Sequence, residues 1–345
     1  MSDAASSASA SPSPWPDVRP GGGLVAVHAH PDDETLSTGA LLATWAAAGL
    51  PATVVTCTRG ERGEVLALPG TTSEGLAHLG GDGPRLGAYR ETELARAVAA
   101  LGVDQVFLDA LPENNTGQAT APGFRRDVVL AGSPVRRYED SGMRWVRPGV
   151  AGPAPDAPAR AFSLLPLEEP AARLAGLLRR LRPSVVVTYE PGGGYGHPDH
   201  VRTHQVAVRA IELAADADAV VPGDPWAGAG LWQVVAPAHE VRAARRALAA
   251  DPAARAVAEV AGLAFADPGE PLPPFAKERL DGRVVRCAVG PMLDRVLAAL
   301  RAHATQVQGA GAAGPDLRQR GVAGWYALGH DVLAPVPAHE TYLVG

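Results

Sequence analysis

Two short polar segments carry residue types that bind metal ions and transfer protons. The first, HAHPDDE, ends at Glu34 and overlaps the end of the apolar run LVAVHA. Its His30 and Asp33 are three residues apart, and imidazole nitrogen and carboxylate oxygen both bind zinc at about 2.0–2.2 Å. A divalent cation would also offset the repulsion among the three consecutive acidic side chains. On this hypothesis Asp33 binds the metal, and Asp32 stays free as a carboxylate facing the water that the metal activates.

The second segment, EPGGGYGHPDHVRTH, supplies further ligand types. It carries His197, Asp199, His200 and His204. One histidine from this segment, added to the His-x₂-Asp spacing of the first, gives three protein ligands and leaves a tetrahedral position for water, as in catalytic zinc sites. His200 and His204 could both bind a metal from one helix face, but Val201 stands where His-Glu-x-x-His hydrolases have glutamate. We therefore interpret His204 as a structural residue or a support for a ligand.

Each segment taken alone has a simpler interpretation. The first could be a helix start, with Asp32 or Asp33 as the N-cap and Glu34 favoured by the helix dipole. The second could be a polar turn, and His28 a buried, hydrogen-bonded histidine inside the preceding strand. Because both segments follow a predicted strand and precede a predicted helix, we favour one shared site over coincidence.

Alternating strands and helices bring the two segments to one edge of a sheet. Apolar, β-branched runs predict strands at 24–29, 51–58, 105–110 and 184–190. Helical patterns follow at 34–49, 87–102, 168–183 and 197–216. Strands that are apolar throughout and separated by helices indicate a parallel sheet covered on both faces. Ligands bind beyond the carboxyl ends of such strands, where the strand order reverses, and we expect the site there.

The pattern becomes irregular after residue 216. It predicts strands at 231–237 and 283–289, helices near 239–260 and at 291–306, and a mobile Gly/Ala connection at 309–314. We therefore expect an α/β fold, with a mostly parallel sheet flanked by helices and a smaller, irregular α+β C-terminal part.

The expected organisation has three parts. They are a disordered Ser/Ala/Pro-rich tail at 1–22, a catalytic part at 23–216, and a C-terminal part at 217–345 that packs on the catalytic part and helps to form the substrate site. Two long segments rich in glycine, proline and polar residues, 60–86 and 111–166, follow strand ends. Whether they form a lid stays open at this point.

Composition and charge exclude several classes of function. The 345 residues carry a formal net charge of −6, and arginines cluster only in short pairs, so the basic stripe of a nucleic-acid or membrane-surface protein is missing. The 2 cysteines, Cys57 and Cys287, are too few for a disulfide framework or a Cys-based zinc site. No apolar stretch reaches the roughly 18 residues of a membrane span, and the N-terminus lacks signal-peptide features. We expect a cytoplasmic protein.

A dinucleotide-binding role is also excluded. Such a site needs G-x-G-x-x-G directly after the first strand. Here GGG at 21–23 precedes the strand, and GGGYG at 192–196 is followed by His197 where the last glycine is required.

Six segments of the chain resemble the zinc-dependent N-acetylglucosaminyl deacetylase (LmbE-like) family, which has a Rossmann-like fold. In family order they are HAHPDDETLSTGA, VVTCTRGERGE, LGAYRETEL, RYEDSGM, VVVTYEPGGGYGHPDHVRTHQV and AHATQV. The resemblance runs from about residue 24 to the RAHATQV stretch at 301–307, and the first and fifth segments together are highly specific. The DSGM sequence favours the branch that acts on N-acetylglucosaminyl-inositol, whereas TRGERGE is more similar to mycothiol S-conjugate amidases. The insert at 111–137 departs from the family pattern.

The resemblance implies a metal site and a proton acceptor. The zinc ligands would be His30, Asp33 and His200, and the general base would be Asp32. Iron, cobalt or manganese also accept such ligands, and the number of subunits is left open.

The resemblance also implies a set of residues around the substrate. His197 would be the acid-side histidine, held by Asp199, and Tyr195 a mobile residue that polarises the acetyl carbonyl. Arg90 and Asp140 match positions that contact the sugar and inositol hydroxyls. Without the resemblance, Tyr195 could be a loop aromatic packed on the sheet edge, Arg90 could pair with a glutamate three residues later, and Asp140 is simply a loop acid.

The expected activity is metal-dependent hydrolysis of the acetamide of N-acetylglucosaminyl-inositol, which gives glucosaminyl-inositol and acetate in mycothiol biosynthesis. A mycothiol S-conjugate amidase would cleave a larger thiol-bearing substrate with the same site. A non-catalytic sugar- or metal-binding protein is disfavoured, because binding alone needs no free carboxylate next to a three-ligand metal.

Overall fold

The structure is a computed structural model that describes residues 18–112 and 137–345. Predictions that concern 1–17 and 113–136, in the tail and in the second long insert, lie outside the described residues. The strands are β1 (Leu24–His28), β2 (Ala52–Thr56), β3 (Asp104–Phe107), β4 (Met143–Arg147), β5 (Val150–Pro153), β6 (Val185–Tyr189), β7 (Gly230–Pro237), β8 (Ala264–Phe265), β9 (Ala276–Lys277), β10 (Arg283–Ala288), β11 (Gln308–Ala312), β12 (Val322–Ala327), β13 (Val332–Pro337) and β14 (His339–Val344).

Helices separate the first strands, as the sequence predicts. They are α1 (Asp33–Ala47), α2 (Gly83–Leu101), α3 (Glu168–Leu181), α4 (Gly193–Gly196, one turn), α5 (Pro198–Ala215), α6 (Ala238–Ala250), α7 (Pro252–Ala261), α8 (Leu293–Ala302) and α9 (Pro315–Gln319). None of these helices is both long enough and apolar enough to span a bilayer, within the part of the chain that the structure describes.

The central sheet brings the two polar segments together. Its strand order is β10-β14-β7-β6-β1-β2-β3, and the five strands from β7 to β3 are parallel, which confirms the mostly parallel α/β sheet. Strands β14 and β10 add antiparallel partners at one end. From β1 the chain builds outward through β2 and β3, and from β6 it builds the opposite way through β7. The order therefore reverses between β1 and β6, and both polar segments leave the sheet at that point.

Both faces of the sheet are covered, which explains why β1 is buried along its whole length. Leu24 and Ala26 belong to the core beneath α1, α2 and α8, whereas Val25 and Val27 belong to the core beneath α3 and α5. Alternate residues of a strand point to opposite faces, so an apolar run without polar interruption is what this position requires.

Strands that follow residue 217 complete the architecture. Strands β7, β10 and β14 join the central sheet, while β11, β12, β13 and β8 form a separate four-stranded sheet packed on α6, α7 and α9. Strands from before and after residues 216/217 share the central sheet, so the sheet itself marks no boundary there. The division of the chain at 216/217 stays a prediction.

Two local expectations in this part of the chain were wrong. The stretch 309–314, expected to be a mobile connection, forms β11 instead, where small residues are needed because a Cβ on Gly311 would lie 2.8 Å from the Trp325 indole nitrogen. The single helix near 239–260 is two helices, because Asp251 caps a new start at Pro252.

A buried carboxyl ties the last strand to α1. The two oxygens of Glu340 accept hydrogen bonds from the backbone N–H groups of Ala40 (2.7 Å) and Leu41 (2.8 Å), and Tyr342 donates its hydroxyl to the second oxygen (2.6 Å). Burial raises the pKa of Glu340 to about 7 from its usual value of 4.5. The carboxyl thus links β14 to the helix that begins at the first polar segment.

Replacing Glu340 with glutamine should remove a pH dependence of stability. The folded protein holds the proton up to about pH 7, whereas the unfolded chain releases it near 4.5. This contribution is complete below the unfolded value and is lost as the pH rises through the folded value. In denaturant titrations, the free energy of unfolding of the unmutated protein should fall relative to E340Q, by roughly 1–3 kcal/mol between about pH 5 and pH 8. Parallel pH profiles for the two proteins would contradict this assignment.

Candidate metal centre and active site

The first polar segment makes a strained turn between β1 and α1. Asp32 has φ 122° and ψ −32°, a region that residues with a side chain rarely adopt. Its backbone N–H donates to the Glu34 carboxylate at 3.0 Å, which helps to hold the turn. Such strain costs about 1–3 kcal/mol and is typical of functional sites. The turn directs Asp32 and Asp33 to different partners.

The three predicted metal ligands converge in the structure. His30 Nδ1, Asp33 Oδ2 and His200 Nε2 are separated from one another by 3.3, 3.4 and 3.4 Å. Ligand atoms about 2.0–2.2 Å from a tetrahedral ion lie about 3.3–3.6 Å apart, so this triangle fits one ion with a fourth position open. His200 is steadied by stacking on Tyr189, with ring centroids 4.2 Å apart.

Other groups of residues nearby could also hold a metal ion. One is His30, His197 and His200, and another is His30, Asp140, His197 and Asp199. His197 has only its Nε2 available, because its Nδ1 accepts the backbone N–H of Asp199 at 3.1 Å. We favour the triangle, since it uses one nitrogen of His30 and leaves the other for a supporting carboxylate.

That supporting carboxylate belongs to Asp199. Its Oδ2 lies 3.2 Å from His30 Nε2, so His30 donates from Nε2 and presents Nδ1 to the triangle. Ser141 donates both its backbone N–H (2.9 Å) and its hydroxyl to the same carboxylate. Metal-binding histidines commonly donate their second nitrogen to a carboxylate in this way. Asp199 thus contacts His197 by donating its backbone N–H to His197 Nδ1, while its carboxylate supports His30.

The charges around the triangle favour a cation. Burial alone would lower the pKa of His30, but the surrounding carboxylates, Asp140 foremost, raise it well above its usual value. Burial alone would raise the pKa of Asp33, but His200 and His30 hold it well below its usual range. A metal ion competes with protons for these atoms, so surroundings that hold a proton also favour a divalent cation.

Asp32 lies beside the triangle with different partners. Its Oδ2 accepts a hydrogen bond from Gln306 Nε2 at 2.9 Å. Burial raises the pKa of Asp32 well above its usual value, and the negative charge of Asp33 raises it further. Neighbouring carboxyls whose pKa values move in opposite directions suit different roles, here Asp33 as an anionic ligand and Asp32 as a proton acceptor.

The third acidic residue of the segment is structural. Glu34 is fully buried and lies 2.7 Å from His303 Nε2, while the Thr35 hydroxyl donates to it at 2.5 Å. Burial would raise the pKa of Glu34, but the charge and hydrogen bond of His303 lower it below its usual value. The pair connects the strained turn to the segment that also carries Gln306.

His197 is poised as a hydrogen-bond donor at the start of α5. Because its Nδ1 accepts an N–H, the neutral ring carries its proton on Nε2. Burial lowers the pKa of His197 well below its usual value, and the charges of His30 and His200 lower it further. At neutral pH this side chain therefore donates from Nε2 and carries no charge.

Tyr195 lies on the glycine-rich turn between β6 and α5. Its ring centroid is 5.0 Å from that of His200 and 6.0 Å from that of His197. The turn approaches the β5 backbone so closely that a Cβ on Gly196, where φ is 94°, would lie 2.8 Å from the Ala151 carbonyl. Burial raises the pKa of the Tyr195 hydroxyl, which therefore stays protonated and available as a donor.

The C-terminal part holds this glycine-rich turn in place. Glu190 accepts hydrogen bonds from the N–H groups of Gly192 (2.9 Å) and Gly194 (3.2 Å). Lys277 pairs with the same carboxylate at 2.8 Å, and Phe275 donates its N–H to the Gly194 carbonyl at 2.9 Å. The position of Tyr195 thus depends on the segment around β9.

Of the two predicted substrate contacts, Arg90 lies beneath a loop and Asp140 faces the site. Arg90 is buried beneath the loop at 60–64, where its guanidinium donates to the carbonyls of Gly60 and Glu64. Asp140 faces the site, with Oδ1 3.7 Å from His30 Nε2. Their contact with substrate hydroxyls stays a prediction, and the visible role of Arg90 is to hold the loop.

Two further histidines have structural partners. His28 is fully buried inside β1 with Nε2 2.9 Å from the Thr38 hydroxyl, which confirms the prediction of a hydrogen-bonded core histidine. His204 has Nδ1 2.9 Å from the Tyr189 carbonyl, a contact that steadies the end of β6.

Sequence reasoning assigned no role to Ser141, His303 and Gln306. All three lie in segments that resemble the family, DSGM and AHATQV, so the signal was present. Their contacts with Asp199, Glu34 and Asp32 depend on packing between distant parts of the chain.

Comparison with known proteins gives the family. Residues 25–211 match the family described as PIG-L: GlcNAc-PI de-N-acetylase. The chain belongs to this family. Both polar segments and every predicted site residue lie inside the matched range.

Relatives of this PIG-L family protein carry a common name. A protein of Kineococcus radiotolerans named 1D-myo-inositol 2-acetamido-2-deoxy-alpha-D-glucopyranoside deacetylase is 43% identical over 288 residues, which is 82% of this chain and 68% of the relative. A protein of Saccharopolyspora erythraea with the same name, numbered 1, is 39% identical over 332 residues, or 93% and 88% of the two chains. Among solved structures, the N,N'-diacetylchitobiose deacetylase of Pyrococcus horikoshii is similar with 17% identity and a TM-score of 0.45, covering 86% and 73%.

Measurements of metal binding should distinguish the triangle of His30, Asp33 and His200 from the two groups that include His197. After incubation with zinc and dialysis, the unmutated protein should retain about one ion per chain, and H30A, D33A and H200A should each lose it, because three ligands are the minimum of such sites. H197A should retain the ion, since its side chain lies outside the triangle. Elemental analysis of the dialysed proteins makes the measurement. Loss of metal from H197A as complete as from H200A would contradict the assignment.

Proposed function

We propose that the protein is a zinc-dependent deacetylase that hydrolyses the acetamide of N-acetylglucosaminyl-inositol, giving glucosaminyl-inositol and acetate in mycothiol biosynthesis. The observation that carries the proposal is the set of three ligand atoms at tetrahedral spacing, with the buried Asp32 carboxyl on the residue next to the ligand Asp33. The names of the Kineococcus and Saccharopolyspora relatives support the substrate, since both describe a deacetylase of an acetamido sugar joined to inositol.

Zinc is the metal that the ligand set favours. Two histidines and one carboxylate with an open fourth position are typical of catalytic zinc, although Fe²⁺ and other divalent ions accept the same donors. Bound zinc supplies a Lewis acid for the acetamide carbonyl and lowers the pKa of water.

The chain's own residues supply the proton transfers. Asp32 accepts a proton from the water that attacks the acetamide carbon, and Gln306 holds its carboxylate in place through the hydrogen bond to Oδ2. The raised pKa of Asp32 makes it a stronger base than an exposed aspartate. The proton that Asp32 receives is then available for the departing amine.

Tyr195 and His197 stabilise the negative charge that develops on the carbonyl oxygen. Tyr195 donates from its protonated hydroxyl, and His197 donates from Nε2. The ring centroids of both donors lie 5.0 Å from that of His200. Removing one donor of this kind typically costs about 10²–10³ in kcat.

Replacing Asp32 tests the proposed mechanism. D32N should retain zinc and lose at least about 10²-fold in kcat for release of primary amine from N-acetylglucosaminyl-inositol, since a positioned base contributes roughly 10²–10⁴. E212Q is a matched control, because Glu212 is an exposed carboxylate of α5 that pairs with Arg209 at 3.0 Å. Zinc retention with unchanged turnover in D32N would refute the role of Asp32.

The same assay separates the second candidate. The TRGERGE segment resembles mycothiol S-conjugate amidases, which cleave the same type of amide in a larger substrate. Cleavage of a bimane conjugate of mycothiol, with no amine released from N-acetylglucosaminyl-inositol, would keep the site chemistry and change the substrate.

A further inference from the structure

Trp145 is a large aromatic side chain that is half exposed next to the candidate active site. It lies on β4, in the hairpin that packs on the glycine-rich turn, and 49% of its surface is exposed. Six large apolar side chains are exposed among the described residues, and Trp145 is the only aromatic one. Burying a large aromatic side chain is strongly favourable, so an indole left half exposed beside an active site calls for a partner.

Ring contacts connect Trp145 to the site. Its centroid is 5.8 Å from that of Tyr195, with the planes inclined at 35°, and 6.1 Å from that of His330 at 63°. Tyr195 in turn lies 5.0 Å from the ligand histidine His200. The rings of His200, Tyr195 and Trp145 therefore form a row that leads from the metal triangle to the protein surface.

The hairpin fixes the backbone position of Trp145 relative to the glycine-rich turn. Trp145 pairs with Ala151 of β5, and the Ala151 carbonyl is the atom that a side chain at Gly196 would strike. The same strand supports both the backbone of Trp145 and the turn that carries Tyr195, so the indole lies against the Tyr195 ring in the protein without ligand. A preordered aromatic surface loses little entropy on binding.

We propose that Trp145 is a specificity-determining residue that stacks on the second ring of a two-ring substrate, the inositol of N-acetylglucosaminyl-inositol. The inference rests on the proposed function. An acetamide held beside Tyr195 puts the sugar ring over the inner part of the row, and the ring attached to the sugar then lies farther out, at Trp145. Polyhydroxylated rings present C–H groups on their faces, and these pack on aromatic rings.

Comparing a two-ring with a one-ring substrate tests the proposal. We expect W145A to lower the ratio of kcat/KM for N-acetylglucosaminyl-inositol over that for methyl N-acetylglucosaminide about tenfold, mainly through a higher KM, as expected for one lost aromatic contact. W145F should recover most of the preference, because it keeps an aromatic face. V146A is the matched control, since Val146 is 55% exposed on the same strand and packs toward Gly152 across the hairpin.

Four results would overturn the inference. An equal loss on both substrates, or a loss confined to kcat, would mean that Trp145 acts only by holding Tyr195. Unchanged kcat/KM for both substrates in W145A would mean that the indole does not touch the second ring. No turnover of either substrate by the unmutated, zinc-loaded protein would refute the proposed function itself, and the inference would fall with it.

Discussion

The site depends on burying three consecutive carboxyl groups within one turn of chain. An unpaired buried charge is very costly, so each of Asp32, Asp33 and Glu34 needs a partner. Glu34 is paired with His303, Asp33 faces two histidines, and Asp32 accepts a hydrogen bond from Gln306. The three partners differ in charge and basicity, and we therefore propose different functions for the three carboxyls: structure for Glu34, ligation for Asp33 and proton transfer for Asp32.

The topology of the sheet makes this arrangement possible. Parallel strands β1 and β6 are neighbours, and the chain builds outward from them in opposite directions, which leaves a crevice at their carboxyl ends. His30 lies just beyond the end of β1, and His200 lies in the first turn of α5, the helix that follows β6. Segments from the C-terminal part then reach the same crevice with His303 and Gln306, so Glu34 and Asp32 are held by residues 269 and 274 positions away in sequence.

The convergence of His30, Asp33 and His200 could be predicted from sequence because strand ends of a parallel sheet meet at one edge. The sequence could not predict that Asp199 is the carboxylate partner of His30. Asp199 lies in the same turn as His197, and only the packing of the fold directs the Asp199 side chain toward His30. The composition at 309–314 led to a wrong prediction, because glycine and alanine there suggest a flexible connection and the structure has a strand. There the small residues make room for Trp325 in a sheet.

We infer that one metal ion binds among His30 Nδ1, Asp33 Oδ2 and His200 Nε2. Anomalous diffraction at the zinc edge, from crystals of the zinc-loaded full-length protein, tests it most directly. We expect a single peak about 2.0–2.2 Å from all three atoms, with Asp32 outside bonding distance. A peak bound to His197 or to His30 Nε2 would rule out this ligand set.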